Sequence, residues 1–98
     1  MKYTFSAVVK EFTGTHPWVY VEVPKTIEKE VFHGKKNVLA KVKKWNFVPI
    51  SVSVRNTTWG TSLLPLGNNS GYFIPLKANI RKKEGIVVGK RISLSFVV

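Results

Sequence analysis

Sixteen Lys and Arg stand against five Glu and no Asp, and the cations gather where they could meet an anion. Lys35, Lys36, Lys41, Lys43 and Lys44 crowd beside Trp45. A second group, Lys77, Arg81, Lys82 and Lys83, falls within one short segment, with Lys90 and Arg91 close behind. Mobile cations at phosphate spacing bind a nucleic-acid backbone without reading its sequence, and an aromatic ring among them offers a stacking surface for a base. Nucleic acid is therefore the leading candidate partner. Lys35, Lys36, Lys41, Lys43, Lys44 and Trp45 form one contact set, and Arg81, Lys82 and Lys83 form the other. The plainer alternative is a solvated basic face, with Trp45 anchoring a loop.

A small anion is the second candidate ligand. Lys77 and Arg81 are one helical turn apart and share a helix face. A helix N-terminus nearby adds partial positive charge. Trp59 would supply an aromatic wall. Alternate residues of a strand face opposite ways, so Thr61 falls on the side of Trp59 and Ser62 on the other, and the set is Trp59, Thr61, Lys77 and Arg81. Against this, Trp59 and Leu63 on one face is also the pattern of a barrel core. A third class is a structural or protein-interaction domain. Residues 45–76 carry Arg55 as their single charge, and an exposed apolar part of that stretch would suit a protein partner.

Catalysis has little to work with. Proton transfer and nucleophilic triads need a positioned base and usually a carboxylate to orient it. The inventory is His16, His33 and five Glu, four of them between residues 11 and 30. His16 precedes Pro17 in a turn and His33 precedes Gly34, positions that suit exposed or capping residues. No spacing supplies the three or four ligands of a zinc site. Without cysteine there is neither a disulfide nor a reactive thiol. The expectation is a non-enzymatic binding module that needs no cofactor.

A net charge of +11 sets up a long-range field that attracts polyanions, although the same charge also serves solubility alone. Hydrophobic residues make up 44% of the chain and aromatics 12%, which argues against disorder. Ninety-eight residues without a Gly/Ser-rich or Pro-rich linker suggest one domain over residues 1–98. Met1-Lys2-Tyr3-Thr4 leads straight into a strand pattern with no apolar signal-peptide core. The charge-free stretch 56–76 is interrupted by Gly60, Pro65, Gly67 and Gly71, so no membrane span is expected and the expected location is cytoplasmic. The oligomeric state is left open.

Elements follow from periodicity. Tyr3, Phe5, Ala7 and Val9 alternate as one strand face, and Phe12 to Pro17 reads as a turn. Val19, Val21 and Val23 line one face of a second strand that Pro24 ends. Ile27 and Val31 at i and i+4 predict a short helix over about 25–33, stopped by Gly34. Val38, Ala40 and Val42 predict a strand, and Trp45 to Pro49 a loop. Ile50, Val52 and Val54 alternate with Ser51, Ser53 and Arg55, and Asn56-Thr57 reads as a hairpin turn before a strand from Thr58 to Leu64. Leu66 to Gly71 reads as a loop. Tyr72–Ile74 is a strand, Pro75 ends it, a helix covers about 77–84, Gly85 stops that helix, and Ile92, Leu94, Phe96 and Val98 alternate to the end. The predicted core holds Phe5, Val21, Ile27, Val42 and Val52, with Trp59, Leu63, Ile74, Leu94 and Phe96. Pro24 and Pro75 are 51 residues apart, as are Gly34 and Gly85, which suggests two halves of about 1–45 and 46–98. Two such halves would close a small barrel with few open edges.

The run from Ile74-Pro75 through Ile80-Arg81-Lys82 to Gly85-Ile86 and Gly89 resembles the core of AbrB/MazE-type proteins. In those, two short chains interleave into a double-split β-barrel; this chain resembles a version with both halves in one polypeptide. A closer resemblance covers nearly the whole chain. Trp59-Gly60-Thr61-Ser62-Leu63-Leu64-Pro65, Tyr72-Phe73-Ile74-Pro75-Leu76-Lys77 and Arg81-Lys82 look like the signature of the family known only as domain of unknown function nineteen-oh-five. Phe5-Ser6-Ala7 and Trp18-Val19-Tyr20-Val21-Glu22-Val23-Pro24 are similar to its opening. That family usually follows its last glycine with Asp, where this chain has Gly89-Lys90, so a side chain that could cap backbone N–H groups is missing there. The resemblance implies a mostly β fold, a small single-chain double-split β-barrel with two short helices, and implies no activity.

Overall fold

The computed structural model describes residues 2–12, 18–32, 48–66 and 71–98. Among these residues the strands are β1 (Lys2–Val8), β2 (Lys10–Glu11), β3 (Val19–Glu22), β4 (Val48–Val54), β5 (Thr57–Pro65), β6 (Tyr72–Pro75) and β7 (Arg91–Val97). The helices are α1 (Lys25–Phe32) and α2 (Ala78–Glu84). Every strand pairing is antiparallel, and the order across the sheet is β1-β7-β4-β5-β6-β3-β2. The two outermost strands are consecutive in the chain, separated by Val9 alone, so one bent segment borders both sides and the sheet curls into a nearly closed barrel. The Val9 N–H donates to the Lys90 carbonyl and its carbonyl accepts from the Gly89 N–H, each at 2.8 Å.

Period-2 alternation sorts the barrel into an apolar inside and a hydroxylated outside. Tyr3, Phe96, Val52 and Trp59 stand opposite one another across β1, β7, β4 and β5, all buried. The Phe96 ring lies between Tyr3 and Phe5, with centroids 5.2 and 6.2 Å away, in the tilted and edge-on arrangements aromatic pairs favour. One residue along, on the opposite face, Thr4, Ser95, Ser53 and Thr58 form the matching outer row. Ser53 and Thr58 hydroxyls are hydrogen-bonded at 2.8 Å, and Ser6 and Ser93 at 2.9 Å. Of the predicted core, all the described residues but Ile27 are buried; Ile27 is half-buried against the core and Val42 lies outside the described residues.

Both helices follow a strand and a proline. α1 presents Ile27 and Val31 to the core, and the Glu28 N–H bonds the Pro24 carbonyl at 2.9 Å. α2 buries Ile80 and ends at Gly85, whose φ of 64° is the left-handed conformation that a residue lacking Cβ adopts at no steric cost. The Ile86 N–H closes that end onto the Arg81 carbonyl at 2.9 Å. At Gly89-Lys90 the turn stands without an Asp, because the Lys90 N–H bonds the Val87 carbonyl and its own carbonyl receives Val9.

Three expectations need correction. The β4–β5 turn is Arg55-Asn56, since Val54 pairs with Thr57, and Arg55 adopts a φ of 53°. A non-glycine residue in this region carries steric strain. Its guanidinium is held by the α2 C-terminus, donating to the Glu84 carbonyl at 3.2 Å and lying 3.8 Å from the Glu84 carboxylate. Strand β4 begins at Val48 and so contains Pro49, which was expected in a loop. Residues flanking a two-residue hairpin turn form a hydrogen-bonded pair, so Pro49, opposite Ser62, occupies a non-hydrogen-bonded pair where a missing N–H costs nothing. The first strand was expected to run on through Val9 to Lys10; β1 instead ends at Val8, and Lys10 and Glu11 make the separate strand β2 against Tyr20 and Val19. The predicted strand around Val38–Val42 lies outside the described residues.

Glu84 is nine-tenths buried, and its carboxylate accepts the hydroxyl of Thr57, itself buried. Glu84→Ala leaves that hydroxyl without its partner and frees the hairpin tip, and is expected to destabilise the fold by about 1–3 kcal/mol in urea denaturation. A second prediction concerns alkaline pH. Burial, and after it the Glu28 carboxylate, push the Tyr72 phenol above its ordinary value of 10.0. The folded chain therefore favours the protonated phenol, a contribution complete below the unfolded value and lost as pH rises through the raised folded one. Urea midpoints should fall from about pH 9 to pH 11 more steeply in the wild type than in Tyr72→Phe.

Candidate functional site

β5 and β6 pair only at Leu64–Phe73 and Pro65–Tyr72. Past the Leu64–Phe73 pair the two strands part, while β6 goes on along β3 through Ile74 and ends at Pro75, which has no N–H to offer a ladder. A cleft of about 480 Å³ opens in the wall at this divergence. Its volume falls within the range of about 300–1,000 Å³ usual for small-molecule sites. Thr61 and Ser62 border it from β5, Leu76 and Lys77 from the run into α2, and Arg81 from the first turn of α2. The Arg81 Nε–H donates to the Leu76 carbonyl at 3.1 Å, which fixes the half-buried guanidinium across the gap.

The aromatic wall is Trp18, 44% exposed, just before β3. Its carbonyl accepts the Phe12 N–H at 2.8 Å. Its indole meets Phe73 edge-on, with centroids 6.1 Å apart and an 80° angle between planes. Phe73 also takes Phe12 and Tyr20 edge-on, while Phe12 stacks on Tyr20 at 4.2 Å. These four rings form a second apolar cluster, separate from the barrel core. An edge-on contact anchors the indole while leaving stacking area on its face. Among the described residues no carboxylate borders the cleft.

Of the residues expected around a small anion, Thr61, Lys77 and Arg81 come together at this cleft and Trp59 does not. Trp59 points into the barrel opposite Val52, where its indole Nε1 is buried without a hydrogen-bond partner. Ser62, expected to face away, borders the cleft beside Thr61. The alternation rule describes the faces of a strand, whereas a gap opened along its edge meets consecutive residues. Trp18 was not among the residues expected at an anion site. Its signal was legible: the alternation that sends Val19, Val21 and Val23 inward sends Trp18 and Tyr20 outward.

The two expected nucleic-acid sets fare differently. Lys35, Lys36, Lys41, Lys43, Lys44 and Trp45 lie outside the described residues, as do His16 and His33. Lys82 and Lys83 are exposed on α2, while Arg81 turns to the cleft. Arg55, Lys90 and Arg91 border a second cleft of about 500 Å³ beside Glu84, but there the Arg55 guanidinium is already paired with that carboxylate. Among the described residues no group of three or more His, Cys, Asp or Glu could hold a metal ion, and no helix is long and apolar enough to cross a membrane.

The family model described as Domain of unknown function (DUF1905) matches residues 5–96. The chain belongs to this family. The match runs from within β1 to within β7 and takes in both helices and the cleft residues from Trp18 to Arg81. No curated protein matches this DUF1905 chain.

The two described tryptophans should separate cleanly in stability measurements. Trp59→Ala removes a buried ring from the core and is expected to cost about 3–5 kcal/mol. Trp18→Ala, at a half-exposed rim, is expected to cost about 1 kcal/mol or less by the same urea denaturation.

Proposed function

We propose that this DUF1905 chain is a non-enzymatic binding module whose cleft between β5 and α2 takes a small carboxylate or phosphate. The observation that carries the reading is the convergence of Lys77 and Arg81 on one concave site that also holds Thr61 and Ser62 and, among the described residues, no acid. Arg81 spends its Nε–H on the Leu76 carbonyl, which orients the guanidinium and leaves the Nη end for a forked contact with an oxyanion. Lys77 adds a point charge on a flexible stem. The ladder alternation that suits Pro49 also turns the Ser62 backbone N–H away from β4, toward the side where the cleft lies.

A polyanion is the second reading. Lys82, Lys83, Lys90 and Arg91 are exposed on α2 and at the start of β7, and a nucleic-acid strand could continue from the cleft along them. Salt separates the two, because a strand held by several phosphates loses affinity steeply with salt and a single oxyanion loses little.

We also propose that the barrel is of the double-split type seen in AbrB/MazE-like proteins, with the two halves fused. The register between β3 and β6 supports this. Glu22 faces Phe73 across that ladder, and these two residues have the same 51-residue separation as Pro24 and Pro75. Two antiparallel strands in which equivalent positions meet are related by a local twofold axis between them. Each strand is followed by a proline and a helix, β3 by α1 and β6 by α2.

The anion reading is tested by titrating inorganic phosphate into isotope-labelled protein at physiological ionic strength. Amide shifts are expected at Thr61, Ser62 and Lys77, and Arg81→Gln should weaken phosphate binding at least fivefold while Lys82→Gln leaves it unchanged. Shifts spread evenly over all the surface lysines, or equal affinity in Arg81→Gln, would show that only the net charge attracts phosphate.

A further inference from the structure

We infer that the cleft recognises a planar ring joined to a phosphate, the chemistry of a nucleotide. This inference rests on the anion reading above and adds to it the role of Trp18. The cleft is mixed in chemistry. Its lining brings Arg81 and Lys77 together with Trp18, Leu64 and Pro75. A bare oxyanion would use the two cations and gain nothing from the apolar residues.

Trp18 is built to be a platform. A half-exposed indole on an isolated loop would be free to turn away, but this one is held on both sides. Its own carbonyl is tied to the Phe12 N–H, and its ring abuts the buried Phe73, which Tyr20 and Phe12 lock in turn. Three aromatic residues therefore support one exposed ring that borders the same cleft as two cations. Stacking on a fixed indole is tolerant of ring identity, because every base offers a π-face. Thr61 and Ser62 add hydroxyls that can both donate and accept, which suits the polar edge of a base or a sugar. A simple aromatic carboxylate would leave those hydroxyls unused.

The ring and the phosphate can come from a free mononucleotide or from a residue of a single strand, and the experiment distinguishes them. Adenosine 5′-monophosphate, adenosine and inorganic phosphate are titrated into the full chain by calorimetry at physiological salt. The monophosphate is expected to bind at least tenfold more tightly than either fragment. Trp18→Ala and Trp18→Leu should each bring its affinity to within about threefold of that of phosphate, a loss within the range of one stacked base. Trp18→Leu keeps apolar bulk at the rim and guards against a packing defect being read as lost stacking. Phosphate affinity should be the same in both variants as in the wild type, while Arg81→Gln weakens phosphate and monophosphate alike. A monophosphate no tighter than phosphate, or a tenfold preference that persists in both Trp18 variants, overturns the ring assignment and leaves the anion reading standing. Phosphate binding insensitive to Arg81→Gln overturns the anion reading itself. In the final arm, a labelled single strand of ten deoxyadenosines that binds more tightly than the monophosphate, with a salt slope of several phosphates, identifies the ligand as a strand. Equal affinity identifies it as the free nucleotide.

Discussion

The barrel depends on one bend. Val9 separates β1, which pairs with β7, from β2, which pairs with β3, so a single residue joins the two ends of the sheet. Its side chain is fully buried and both of its backbone polar groups are bonded to the Gly89-Lys90 turn. The bend can exist only because the chain at Gly89 comes back to meet it, and Gly89 does so at a φ of 92°, a conformation that penalises any side chain. An open sheet of seven short strands would leave two unpaired edges. Closure at Val9 removes most of that liability, and the remaining gap falls where β5 and β6 part.

That gap explains which parts of the site could be read from the sequence. Strand faces were legible because the core needs strict alternation, and Phe5, Val21, Val52, Ile74, Leu94 and Phe96 all lie where a period of two sends them. Helix ends were legible because Pro and Gly act through local sterics; α2 starts within a residue of its expected bound and ends on Glu84, just before Gly85. The divergence of β5 from β6 was not legible, because no local pattern in either strand sets how many of its residues pair across that edge. Without it Thr61 and Ser62 belong to opposite faces, and with it they share one cleft. The turn at Arg55-Asn56 escaped for a related reason. Arginine does not advertise a positive φ, and only its tertiary attachment to Glu84 makes that conformation tenable.

Electrostatics follow from where the few acids sit. Glu22 pairs with Lys10 at 3.2 Å, Glu28 with Lys25 at 3.6 Å and Glu84 with Arg55 at 3.8 Å. Glu84 is the one acid after residue 30, and it is buried against Thr57. The described surface around the cleft and α2 therefore has no exposed carboxylate to oppose Lys77, Arg81, Lys82 and Lys83. A field of this kind concentrates any anion near the protein, whether or not a site receives it. What distinguishes the cleft from the rest of the basic surface is its fixed guanidinium, since an exposed lysine offers charge without geometry.

Trp18 and Trp59 show how one residue type takes two roles under the same rule. Both sit on strands or beside them, and alternation decides which side of the wall each ring meets. Trp59, opposite Val52, fills the interior and accepts an unpaired buried N–H as the cost of its bulk. Trp18 falls in the outward phase with Tyr20, where the interior offers it nothing, and packs instead on Phe73. The outer cluster adds little to the closed core, yet it gathers four rings beside the gap between β5 and β6. A barrel concerned only with its own stability would put polar residues there, as the Ser and Thr rows of β1, β7 and β4 do. Aromatic support for an exposed indole beside Arg81 is better explained by a ligand that meets both.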